Sequence, residues 1–281
     1  MNCCPADFTI IDSCLAFVRL SQLKELDLCV SSSSLYSFPV AAFGLRSLSC
    51  VKLCGVALDH LTSVELPNLI SLTLEKVELD DKALHNLLTG CSSLEKLRLK
   101  ECKNLVNPRI SNLSLKILEI VDVSRENSPV IFRVEAMNIQ SFVYSGADCV
   151  PNLNLPSVEV LQNLSFSNLR FRDRWLEDLI SRLPLLESLS LSNCKFGDLL
   201  LEFSMIAPNI SQANIQLNNP VAYNTRWYFG LVDFLRNCRS PLPTLKHLKV
   251  KTNLPLSRES ELRDALLWAS PSLETILIEH A

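Results

Sequence analysis

The sequence predicts an α/β solenoid of about eleven repeats, with a curved parallel β-sheet on its concave face and helices and loops on its convex face. Three observations predict it. A segment of the form Leu-x-x-Leu-x-Leu recurs eleven times. The spacings between its starts run from 21 to 28 residues, with one of 35. The second and third apolar residues of each segment lie two apart, which is strand spacing and turns both to the same side. One such repeat cannot bury its apolar side alone, so neighbours must stack on it into one quasi-linear core.

The series opens with LKELDL at 23–28, LSCVKL at 48–53, LISLTL at 69–74, LEKLRL at 94–99, LKILEI at 115–120 and IQSFVY at 139–144. LQNLSF at 161–166, LESLSL at 186–191, ISQANI at 210–215, LKHLKV at 245–250 and LETILI at 273–278 complete it. A period of this length is that of leucine-rich repeats. Parallel strands need a crossover between them, and three crossovers read as helices. Asp80 and Asp81 open a stripe of Ala83, Leu84, Leu87 and Leu88. Trp175, Leu176, Leu179, Ile180 and Leu183 follow Asp173, and Leu262, Ala265, Leu266 and Ala269 precede Pro271, a residue that stops a helix. The stretch 101–112 is too short and polar for a full helix. Eleven strands at roughly 4.8 Å separation make an inner face about 50 Å long, the size of a protein-binding surface.

Four regions follow. Residues 1–22 read as a partial N-terminal cap with Ile10, Ile11, Leu15, Phe17 and Val18, and residues 23–215 hold repeats one to nine. Residues 216–243 are an insertion, and 244–281 hold the final repeats. The insertion carries the densest aromatic group, Tyr223, Trp227, Tyr228, Phe229 and Phe234. It is predicted to be helical, either sealing the local core or offering a lip to a partner.

The net charge of -3 gives no global support to nucleic-acid or anionic-membrane binding, so neither is expected as a partner. The mean hydropathy of +0.20 reflects Leu, Ile and Val at repeat positions. No apolar run approaches the roughly 20 residues of a spanning helix. The N-terminus lacks the basic start of a signal peptide. The expected location is intracellular, cytoplasmic or nuclear. Cys102 and Cys194 share a repeat column with Val56, Val77, Val123, Leu169, Asn218 and Asn253. The eleven cysteines therefore read as reduced structural thiols. Asn-x-Ser sequons begin at Asn112, Asn163 and Asn209; Asn163 lies within a repeat strand, and all three read as chance.

The third, fifth and seventh positions of each segment should face away from the core. Repeat four places Lys96, Arg98 and Lys100 there, repeat nine Gln212, Asn214 and Gln216, and repeat ten His247, Lys249 and Lys251. Repeats six to eight present small residues, Ser141, Ser165, Ser188 and Ser190 among them. The expected surface is a small-residue floor with basic patches toward either side. Such a floor lets a ligand backbone approach closely, and the cations favour an acidic or phosphorylated protein segment. Three like charges side by side are unfavourable without a counter-ion, which favours a functional role for the repeat-four triplet. The plainer alternative is that these positions are polar because water wets them.

Motifs of catalysis are missing from the sequence. It has no glycine-rich phosphate loop, no His-Glu-x-x-His, no Gly-x-Ser-x-Gly and no Cys-x-x-Cys. His60, His85, His247 and His280 lie in different repeats. No enzyme, no cofactor and no metal site is expected.

Three phrases carry a family resemblance: VRLSQLKELDLCVSSSSLYSFPVAAFGLRSLSCVKLCGVAL at 18–58, LPNLISLTLEKVELDDKALHNLLTGCSSLEKLRLKEC at 66–102 and ASPSLETILIEHA at 269–281. Together the chain resembles plant F-box proteins carrying leucine-rich repeats, of the ribonuclease-inhibitor-like type with an FBD-like tail. The resemblance spans almost the whole chain. It is one of repeat grammar, so it points to a superfamily rather than a member. It implies substrate recognition in a cullin-RING (SCF-type) ubiquitin ligase. In that family an F-box that docks the ligase adaptor lies upstream of the repeats, and no segment here resembles one. The expectation is a recognition scaffold lacking its F-box, which would engage the adaptor only if an F-box were supplied. A stand-alone binder or decoy, and a polyanion or small-molecule sensor, are the alternatives.

Overall fold

Alternating apolar residues in each segment drive one face of an extended strand out of water, and the computed structural model shows such a strand at all eleven segments. It describes residues 8–18, 22–31, 35–39, 43–58, 61, 64–123, 130–146, 159–171, 175–196, 210–217, 244–252 and 259–280. The described residues fall in two compact units, one through Ile139 and one from Gln140.

The first unit opens with α1 (Phe8–Val18), within the expected cap. Leu15 is buried, while Ile10 stays exposed. Tyr36 ties this helix to the first turn: its hydroxyl donates to Asp12 at 2.5 Å and its ring lies 5.1 Å from Phe8. The strands β1 (Glu25–Cys29), β2 (Tyr36–Ser37), β3 (Cys50–Cys54), β4 (Val56–Ala57) and β5 (Ser71–Glu75) follow. After them come α2 (Asp81–Thr89), β6 (Lys96–Lys100), β7 (Arg109–Ile110), β8 (Ile117–Val121) and β9 (Arg133–Val134). The long strands pair in parallel in the order β1-β3-β5-β6-β8. Each repeat's third position pairs with the next repeat's third, as in Ser71 with Lys96 and Lys96 with Ile117. Leu72, Leu74, Leu97, Leu99, Leu118 and Ile120 are wholly enclosed behind this ladder. β1 ends the series, and its Leu26 and Leu28 are only half-buried.

Helix α2 shows how a crossover is set. Asp80 caps it by accepting from the Ala83 amide at 2.6 Å, satisfying one of the donors a helix start leaves unpaired. Ala83, Leu84, Leu87 and Leu88 form its buried stripe, as predicted. At its far end the Asn112 side-chain amide donates to the carbonyls of Leu88 and Cys91 at 3.2 and 2.8 Å. That residue is buried, so the first sequon's nitrogen is committed to the fold.

A second device recurs directly after the long strands. Lys76, Glu101, Asp122, Asn168 and Asn193 all have φ between 50° and 58°, and Gly55 in the same column has φ 69°. This left-handed turn aims the residue's amide at the carbonyl ending the next strand: Lys76 to Lys100 at 2.8 Å, Glu101 to Val121 at 2.8 Å, Asn168 to Ser192 at 2.9 Å. At Gly55 a Cβ would stand 2.1 Å from the Val30 carbonyl oxygen, so only glycine fits there.

The second unit holds β10 (Ser141–Ser145), β11 (Asn163–Ser167), β12 (Arg170–Phe171), α3 (Trp175–Ser181), β13 (Ser188–Ser192) and β14 (Lys195–Phe196). It continues with β15 (Gln212–Leu217), β16 (His247–Thr252), α4 (Glu259–Ala269) and β17 (Thr275–His280). Its long strands run parallel in the order β10-β11-β13-β15-β16-β17. Aromatic rings fill part of its core. Phe166 meets Phe142 edge-on at 6.2 Å and lies 5.7 Å from both Phe171 and Trp175.

The predicted count needs one correction. A long strand is present eleven times, but a full solenoid turn also needs a second pairing beyond the left-handed bend. Repeats one, two, five, seven and eight have it through β2, β4, β9, β12 and β14, and repeats three and four through bridges at Glu78 and Lys103. About seven repeats thus close a full turn among the described residues. Crossovers after repeats six, nine and ten run through residues outside the described set. The predicted aromatic helix falls there too: Gln216 and Leu217 end β15, and 218–243 lie outside the described residues.

Candidate functional site

The solvent face of each ladder is built by the same rule that builds the core. Residues flanking a buried leucine point the other way, so the third, fifth and seventh positions of every repeat line up in rows one strand spacing apart. All thirteen candidate residues stand in those rows. Lys96, Arg98 and Lys100 are on β6 of the first unit. In the second unit Ser141 is on β10, Ser165 on β11, and Ser188 and Ser190 on β13. Gln212, Asn214 and Gln216 are on β15, and His247, Lys249 and Lys251 on β16.

The first unit supplies the counter-ions that the sequence reading left unassigned. Glu119 of β8 reaches Lys96 at 3.0 Å and Arg98 at 3.1 Å. Glu75 of β5 takes Lys100 at 2.7 Å, and Glu101 stands 3.5 Å from the same ammonium. The argument that three like charges call for an external anion is therefore corrected: the anions come from the neighbouring repeats. The hydrogen bond from Lys100 holds the Glu75 carboxyl below its ordinary value, and Glu75 raises Lys100 in return. Lys52 and Asp27 add a looser pair at 3.4 Å.

The second unit is different in kind. Ser165 stands opposite Ser190, and Ser190 opposite Asn214. Ser141, Asn163, Ser188 and Gln212 form the row beside it. These side chains are short, uncharged and mostly half-buried. Near the strand ends the Ser192 hydroxyl donates to Gln216 at 3.0 Å, and Asn193 donates to Asn168 at 2.7 Å. Beyond the serines, His247 shares a 2.8 Å hydrogen bond with Thr275, and Lys249 pairs with Glu279 at 2.8 Å. Donors and acceptors thus recur at roughly 4.8 Å along this face, and the outward side chains of the serine strands themselves are short.

Two features escaped the sequence reading. Glu75 and Glu119 are one repeat away from the cations they neutralise, in the seventh and fifth positions of their own segments. The signal was present as a column match between repeats. Cys29 and Cys54 face solvent as direct register partners, whereas Cys102 is buried, with its thiol pushed up to about 12 by loss of water. Among the described residues, no helix is long and apolar enough to cross a membrane.

Comparison with known proteins agrees with this architecture. A family model described as the At1g61320/AtMIF1 LRR domain matches residues 1–265. A curated relative from Arabidopsis thaliana, the putative FBD-associated F-box protein At5g53635, is 33% identical over 95 residues, covering 33% of this chain and 22% of that relative. The match therefore spans about a fifth of the relative's length.

Proposed function

Because the chain belongs to the leucine-rich-repeat family of the At1g61320/AtMIF1 type, it is a protein-interaction scaffold, and we propose that it serves as the target-recognition region of a cullin-RING (SCF-type) ubiquitin ligase subunit. The observation that carries the target-binding part is the serine and amide floor of β10, β11, β13 and β15. A target segment lying along it meets a hydrogen-bonding group at every strand and little steric obstruction. The Arabidopsis relative named as an F-box protein supports the ligase assignment. In this reading the chain binds its target and catalyses no reaction on it. The polyanion-sensor alternative loses support, because Lys96, Arg98 and Lys100 already hold carboxylates.

The test is to tag the chain in plant cells, identify co-purifying proteins by mass spectrometry, and repeat with a Ser165→Arg/Ser190→Arg double variant. Two long cations on the floor should remove the specific target and leave the fold intact. The target's lifetime is then followed with the chain alone and with an F-box fused upstream. Proteasome-dependent shortening with the fusion supports the ligase role. A target that lives longer in both cases makes the chain a stand-alone binder or decoy.

A further inference from the structure

Cys29 and Cys54 end the first two long strands and pair directly across β1 and β3 on the solvent face. Neighbouring strands stand roughly 4.8 Å apart, within the roughly 4.4–6.8 Å between Cα atoms that a disulfide accepts. Cys29 is exposed, Cys54 is half-buried, and both are free thiols. Burial first, and then the neighbouring Cys29 side chain, push the Cys54 thiol up to about 11. This geometry separates the pair from Cys91 and Cys102, which are buried in the core.

We propose that Cys29 and Cys54 form a redox-active dithiol site that small disulfides, such as glutathione disulfide, oxidise to an interstrand disulfide. The exposed Cys29 gives its proton to water, and its thiolate attacks one sulfur of glutathione disulfide. That S–S bond breaks, and the first glutathione leaves and takes up a proton. Cys54 then releases its proton to water, and its sulfur attacks the Cys29 sulfur of the mixed disulfide. The second glutathione leaves and is protonated. Two protein thiols lose two electrons in total, and one glutathione disulfide becomes two glutathiones.

One structural fact lets the bond close. A disulfide draws its Cβ atoms to about 3.8 Å, and β1 is the end strand of its series, with Leu26 and Leu28 half-buried, so it can move toward β3.

The chain's tryptic pattern makes the test direct. Cys29 is the single cysteine of fragment 25–46 and Cys54 that of fragment 53–76. The folded chain is incubated with glutathione disulfide, quenched by alkylation and mapped by mass spectrometry. The expected product is these two fragments joined with the loss of two hydrogens, separated again by dithiothreitol. Cys54→Ser should halt the reaction with glutathione left on Cys29, and Cys29→Ser should abolish the cross-link. The wild-type map stands without the variants. Unlinked fragments after prolonged oxidation would overturn the proposal. So would glutathione persisting on Cys29 as the final product, or the mixture of pairings that the urea-unfolded chain gives.

Discussion

On the first unit's ladder Arg98 meets Glu119 and Lys100 meets Glu75, whereas on the second unit's ladder Ser165 meets Ser190 and Ser190 meets Asn214. The inward residues of the two ladders obey one rule, and the outward residues obey two. Repeat grammar constrains only the side of the strand that must leave water. On the other side the first unit pairs its charges internally, and the serine strands of the second present short neutral groups that a partner can engage. A formal charge in a motif is therefore not a free charge. What recommends a face for binding is what its neighbours in the next repeat leave unmet.

Four experiments would break or sharpen that contrast. If the cores are alike, Phe166→Ala in the second unit and Leu97→Ala in the first should both be severe, at about 4 and about 3 kcal/mol respectively in denaturant unfolding; a mild effect in either would mean that the units are not held by the same burial. Glu119→Gln removes the shared anion of Lys96 and Arg98. It should cost about 1 kcal/mol, less in high salt, and should raise affinity for an acidic peptide severalfold by fluorescence anisotropy. Unchanged peptide binding would show that pairing is not what restrains these cations. Acid titration comes next. Because the folded chain holds Glu75 below its usual 4.5, its stabilising contribution is complete above that pH and fades as pH falls through the lowered native value. Glu75→Gln should flatten this part of the stability profile measured by thermal melting. Smallest of all, Ser190→Ala should change stability by less than about 0.5 kcal/mol while weakening target capture.

Most of the fold was legible because strands and crossovers are written in short-range periodicity. Ala83, Leu84, Leu87 and Leu88 announced α2, and Asp80 and Asp81 announced its start, since both signals are local along the chain. Turn closure was less legible: Glu78 and Lys103 complete their repeats by bridges of single residues, which carry no composition of their own. The candidate face was legible as rows but not as energetics. Reading Lys96, Arg98 and Lys100 along β6 shows three positive charges. Their neutralisation depends on Glu75 and Glu119, whose segments start 25 residues before and 21 residues after that of Lys100 and Arg98 but stand one strand away in space. The Cys29–Cys54 contact has the same origin, because the register between β1 and β3 decides it.

The left-handed residue after six of the long strands has a consequence for how such a chain can change over time. Gly, Asn, Asp, Lys and Glu occupy that column, and their codons form a connected set: Gly to Asp, Asp to Asn, Asp to Glu and Asn to Lys each take a single base substitution. Repeats can drift at this position, one nucleotide at a time, without passing through a β-branched residue that the bend would reject. Mutation can thus diversify the wet face of the molecule while its bends stay within a tolerated alphabet.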